Sequence, residues 1–136
     1  MRYLSIDLGD KRTGLAVGDD ESGVVSPLDV LVMPRGPRLV DAILNVIRLH
    51  DLQALVIGLP INMDGREGAA AKAAREFGEQ LRAQTSLPVH FQDERLTSYA
   101  ADQRMSQSGR THKQKKQLRD ALAAAEILRD FFDQRK

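Results

Sequence analysis

Cysteine is absent from the 136-residue chain, which removes disulfides, thiolate nucleophiles and zinc-thiolate sites and leaves oxygen ligands, hence hard cations, for any bound metal. Tryptophan is absent and tyrosine occurs twice, so a platform for stacking single-stranded bases would be poorly equipped. No apolar run approaches the ~20 residues of a membrane span, and no membrane association is expected. The opening Met1-Arg2-Tyr3-Leu4 enters an apolar run already carrying Asp7 and Gly9, which fits neither a signal peptide nor a transit sequence. The expected location is the cytoplasm. Overall charge is scarce too, at +1, yet the stretch from Arg104 to Arg119 holds Lys or Arg at six positions and no acid. Such a local excess can meet phosphates, as it can also be a solvated loop.

What remains is ordinary globular composition, 42% hydrophobic and 29% charged, at a length that suits one domain over residues 1–136. Residues 2–8 alternate, with Leu4, Ile6 and Leu8 on one face and Tyr3, Ser5 and Asp7 on the other, a strand that ends in an acid. Gly9-Asp10 signals a turn into a second strand at 13–18. A third strand, about 24–33, continues the meander, with Pro27 indicating an edge. Pro37 suits a first helical turn, and Leu39, Ile43, Val46, Ile47 and His50 follow at helical spacing.

Residues 54–59 are apolar without alternation, the pattern of a central parallel strand covered on both faces, and Pro60 ends it. After a polar loop at 62–68, Ala70, Ala73, Ala74, Phe77 and Leu81 predict the buried stripe of a second helix. A fifth strand is expected at 88–92, then a helix capped by Thr97 and running to about Gln107, a basic loop at 108–116 and a last helix at 117–134. A three-stranded antiparallel meander followed by alternating helices and parallel strands is an α/β layer fold with a mixed sheet.

Three acids stand in apolar surroundings, where acids are normally not found. At 100° per residue, Asp120 falls between Ile127 and Phe131, inside the apolar arc of the last helix. An acid serving only the helix dipole would not need to face inward. Asp7 ends the first strand, at the sheet edge where open α/β folds place ligands, although a turn-opening acid would look the same. Glu94 follows the fifth strand, where a solvated charge or a pair with Arg95 is the plainer alternative. Together the three suit one site for divalent cations. Two Mg²⁺ or Mn²⁺ ions bridged by carboxylates would activate water and stabilise the leaving oxygen of a phosphodiester. Lys11, Arg12 and Arg95 beside these acids could hold flanking phosphates, and Arg110, Lys113, Lys115 and Lys116 could extend the contact.

Four ordered blocks then carry a resemblance over nearly the whole chain: Ser5 to Val17 (Ser-Ile-Asp-Leu-Gly-Asp-Lys-Arg-Thr-Gly-Leu-Ala-Val), Gly58-Leu59-Pro60 with Met63-Asp64-Gly65, Asp93-Glu94-Arg95-Leu96-Thr97, and Asp120 to Ala124. The chain resembles the YqgF/RuvX group of RNase H-like proteins, described as pre-16S rRNA nucleases or Holliday junction resolvases. The resemblance implies a five-stranded RNase H-like sheet, with Asp7, Glu94 and Asp120 in the family's acidic positions. It implies nucleic-acid partners, structured RNA precursor or branched or single-stranded DNA, and a homodimer if the reaction is junction resolution. Where Ser98 stands the family often has a second threonine, a change that keeps the hydroxyl. The loop starting at Asn62 would approach substrate.

The run Asp7-Leu8-Gly9 with Gly14-Leu15-Ala16 also resembles the phosphate loop of actin-like and sugar-kinase-like ATPases, but those need two such domains and this chain has room for one. A non-catalytic RNA-binding module, which would bind without turnover, is the reading from a different class.

Overall fold

The computed structural model describes residues 1–94 and 112–135, with the side chains of 112–117 outside the description. Strands β1 (Arg2–Asp7), β2 (Arg12–Asp19) and β3 (Val25–Val32) come first, followed by helix α1 (Pro37–Leu49), β4 (Ala54–Leu59), α2 (Ala69–Thr85), β5 (Val89–Asp93) and helix α3 (His112–Gln134). The sheet order is β3-β2-β1-β4-β5. β1 pairs antiparallel with β2 and parallel with β4, and β4 pairs parallel with β5. This is the expected meander joined to two parallel strands. β3 lies at the sheet edge, where Pro27 withholds no ladder bond that a further strand would need.

Both faces of the sheet are covered. Leu4, Ile6, Leu15, Leu55 and Ile57 pack with Leu39 and Ile43 of α1 and with Ala74, Phe77 and Leu81 of α2. Tyr3, Ala54 and Val56 pack on the other side with Ile127, Leu128, Phe131 and Phe132 of α3. The alternation in β1 therefore divides its residues between two buried layers. β4, at the centre of both, is buried at every position, as its unbroken apolar run predicts.

Two expectations are corrected. The stripe buried by α2 is Ala71, Ala74, Phe77, Gly78 and Leu81, with Ala70 exposed and Ala73 only half-buried. Small alanines crowd this helix's start, so the apolar pattern alone leaves its rotation ambiguous by about one residue. The last helix begins at His112, so residues 112–116, expected in a basic loop, are helical. Lys and Gln are good helix formers, and this stretch has no Gly or Pro to stop propagation. The Thr97 cap, the helix to Gln107, and Arg95 and Arg110 lie outside the described residues, as do the side chains of Lys113, Lys115 and Lys116. Among the described residues no helix is long and apolar enough to cross a membrane.

Candidate active site

Asp7, the last residue of β1, pairs across the ladder with Gly14 of β2. A Cβ at Gly14 would overlap the backbone carbonyl of Asp120, so only glycine lets α3 lie this close to the sheet beside Asp7. Glu94 immediately follows β5, its N–H donating to the Leu59 carbonyl at 3.3 Å. Between β5 and β1 runs β4, and there Gly58 stands one step beyond the Ile6–Ile57 pair. A side chain at Gly58 would overlap the Glu94 carboxylate and come 2.6 Å from Ile127. Its absence lets Glu94 reach over β4 to share a hydrogen bond with Asp7. Two strand-interior glycines thus shape the space in which acids from β1, β5 and α3 meet.

Electrostatics follow from that crowding. Burial pushes the Asp7 carboxyl up to about 6 against the lowering effect of its hydrogen bond with Glu94, and the nearby Asp120 charge pushes it further. Glu94 is pushed up to about 8, first by burial, then by the charge of Asp7, by their hydrogen bond and by Asp93. Two carboxylates in contact hold a proton between them because both cannot stay ionised unaided. Asp120 Oδ2 lies 3.2 Å from Arg12 Nε, an ion-pair distance, yet this buried oxygen accepts no hydrogen bond among the described residues. We take the contact as a weak, poorly aimed ion pair, since distance alone does not make a hydrogen bond.

The donor chemistry suits a hard divalent cation: carboxylate oxygens, excess negative charge and one buried oxygen lacking a donor. As placed, however, no group of three His, Asp or Glu residues among the described residues stands close enough to grip a metal. Asp7 and Glu94 are brought together and Asp120 adjoins them, but it leans toward Arg12. Lys11 in the β1–β2 turn and Arg12, which opens β2, are both exposed. Asn62 is exposed in the loop after β4, its N–H used within the loop by a 2.9 Å bond to the Arg66 carbonyl. That bond makes the Asn62 amide unavailable to substrate. Reasoning from sequence missed the part played by Gly14 and Gly58, although glycine inside a strand is itself a signal of close approach. It also missed the pairing of Arg12 with Asp120, which nothing in the spacing announces.

A cleft of about 720 Å³ lies away from the acids, at the start of β1 and the end of α3, where the Met1 amino group and the Tyr3 hydroxyl both donate to Asp20. None of the three acids lines this cleft.

Sheet order and the covering α3 define an RNase H-like α/β fold of the RuvC type. Two solved structures share the fold: Thermus thermophilus RuvC in complex with a Holliday junction, with a TM-score of 0.62 and 20% identity over 99% of this chain and 95% of that one, and the fowlpox virus Holliday junction resolvase, with 0.64 and 11% over 98% and 99%. The family model described as "RuvX: Holliday junction resolvase" matches residues 1–134, and the chain belongs to this family. Similar relatives include proteins of Anaeromyxobacter sp. (40% identical, covering 99% of this chain and 98% of the relative) and Opitutus terrae (41%, 99% and 93%). Both carry the name "Putative pre-16S rRNA nuclease".

Proposed function

We propose that the chain hydrolyses phosphodiester bonds in precursor 16S ribosomal RNA, using divalent cations held by Asp7, Glu94 and Asp120. The observation that carries this reading is the contact between Asp7 and Glu94, two largely buried acids from two strand ends that lie beside the charge of a third. When bound, a pair of Mg²⁺ or Mn²⁺ ions supplies the activation of water and the neutralisation of charge on the leaving oxygen. The chain's own contribution is to present the oxygens. Glu94 keeps its proton near neutrality without a cation and gives it up as the site fills, so binding strengthens as pH rises. Arg12 holds Asp120 until then and, with Lys11, meets phosphates flanking the cleaved bond. Arg95, Asn62, Arg110, Lys113, Lys115 and Lys116 are assigned to backbone contact, Asn62 through its side chain because its N–H is engaged.

A second reading, resolution of four-way DNA junctions by a C₂ dimer, is favoured by the description of the matching family. Incubating the protein with a 16S precursor transcript and with a four-way DNA junction, with Mg²⁺, Mn²⁺ or EDTA, separates the two. Cleavage of the precursor that EDTA abolishes is expected. Asp7→Asn, Glu94→Gln and Asp120→Asn are each expected to lower the rate on the order of a hundredfold or more, the scale of a lost transition-state stabiliser, without lowering the melting temperature. Full activity in any one variant removes that residue from the set.

A further inference from the structure

β5 forms the sheet margin beyond β4, and along it runs a groove of about 610 Å³. Alternation puts His90 and Gln92 on the same side of the strand as α3, where the His90 ring lies 5.0 Å from Phe131. Glu94 continues that row, its carboxylate over Gly58 on the side from which Ile127 of α3 approaches. The row therefore climbs to the acid site in steps of about 7 Å, twice the rise per strand residue. Phe91 faces the other way, against Gly78 of α2.

Arginine flanks the strand on both sides. Arg135, at the end of α3, places its guanidinium 4.6 Å from the Phe131 ring, and Arg75 of α2 sits 5.1 Å from the Phe91 ring. Arg82, paired with Glu79, donates to the Val89 carbonyl at 3.2 Å. Burial, then the charges of Arg135 and Arg82, hold the His90 imidazole below its ordinary range, so near neutrality it is uncharged and can both donate and accept. The counter-charges here are Glu67, which grips Arg75 through bonds of 2.6 and 2.7 Å, and Glu79, which pairs with Arg82.

We propose that this groove is the track of a single nucleic-acid strand on one side of the acid site, its phosphates straddled by Arg135 and Arg75, with the half-buried His90 meeting sugar hydroxyls and base edges. The inference rests on the nuclease reading for its direction but not for its test. Arg75 and Arg135 line this one groove from opposite sides of β5, so a backbone lying along it meets a positive group on either hand. Glu67 acts as a brake, neutralising Arg75 until a phosphate competes for it.

The test uses the full chain with two labelled single strands, one short enough to cover the acid site alone and one extended, in binding titrations over a range of salt. Arg75→Gln with Arg135→Gln is expected to weaken the extended strand at least several-fold and reduce its salt slope by about 1.4, the value for two phosphates on a single strand, while leaving the short strand and its cleavage unchanged. Glu67→Gln is expected to tighten the extended strand. Equal binding by all variants, or equal loss on both strands, overturns the proposal. Failure of the unsubstituted protein to cleave either strand would count against the nuclease reading alone, since length-dependent binding through Arg75 and Arg135 would still stand.

Discussion

On the side covered by α1 and α2, the three central strands present Leu4, Ile6, Leu15, Leu55 and Ile57, each with no exposed surface. On the α3 side the same strands present Ser5, Gly14, Ala16, Ala54 and Gly58 beside Tyr3 and Val56. The first layer is large and aliphatic, so it excludes water and supplies most of the burial. The second is small where α3 begins to cross it and aromatic only at the far end, around Phe131 and Phe132. Small residues contribute little transfer energy but let a helix backbone descend onto a strand, and that descent carries Asp120 to Asp7. One face holds the protein together. The other positions its acids.

Core and positioning roles separate by substitution. Leu55→Ala on the aliphatic side is expected to cost about 2–5 kcal/mol, the usual range for a cavity at a fully buried leucine. Cleavage per folded molecule should be unchanged. Gly14→Ala on the other side is expected to cost less, about 1–3 kcal/mol, because α3 must rise to clear one methyl group. Its effect on cleavage should nevertheless be much the greater, since the lifted backbone is that of Asp120. Denaturant melts run beside cleavage assays measure both, and the contrast breaks if the Leu55 variant loses as much activity per folded molecule as the Gly14 variant.

The acid cluster makes a smaller, pH-dependent contribution. Asp7 and Glu94 both have folded-state values raised above their ordinary ones, so the metal-free fold favours their protonated forms. Stability from this pair is therefore fully present below about pH 4 and is lost as pH rises through about 6 and 8. In EDTA the melting temperature should fall over that window more in the native protein than in Asp7→Asn, which removes one of the two charges. Added Mg²⁺ or Mn²⁺ should reverse the trend above pH 7, because the ionised pair is the form that binds. A melting temperature indifferent to pH between 4 and 8 would mean that the two carboxyls do not share a proton.

Much of this arrangement is legible in the sequence because its signals are local. Alternation in β1, the unbroken apolar run of β4 and the inward angle of Asp120 on a helical wheel each reflect a periodicity that burial imposes directly. Boundaries that depend on neighbours are less visible. The start of α3 at His112 and the rotation of α2 toward Ala71 and Gly78 are set by packing partners distant in sequence. For the same reason the acids could be recognised singly, from strand ends and helix angle, whereas the contact between Asp7 and Glu94 could not. That contact requires Gly58 on a strand between them, and the approach of Asp120 requires Gly14 beneath it.

The finest test of the two faces is Ser5, a fully buried hydroxyl that donates to the Ala124 carbonyl at 2.7 Å. Ala124 lies one helical turn beyond Asp120, on the same side of α3, so this bond ties down the turn that sets the acid's height. As an interior helix carbonyl, Ala124 also accepts from the amide four residues on, and removing the serine hydroxyl leaves it with a partner. Ser5→Ala should therefore cost only about 1 kcal/mol, the net worth of one hydrogen bond, and not the full penalty of an orphaned group. If the bond also positions the acid, the cation concentration for half-maximal cleavage should rise several-fold. A stability loss of the expected size with an unmoved cation requirement would make Ser5 a fastener only, and leave Gly14 as the residue that sets Asp120 against the sheet.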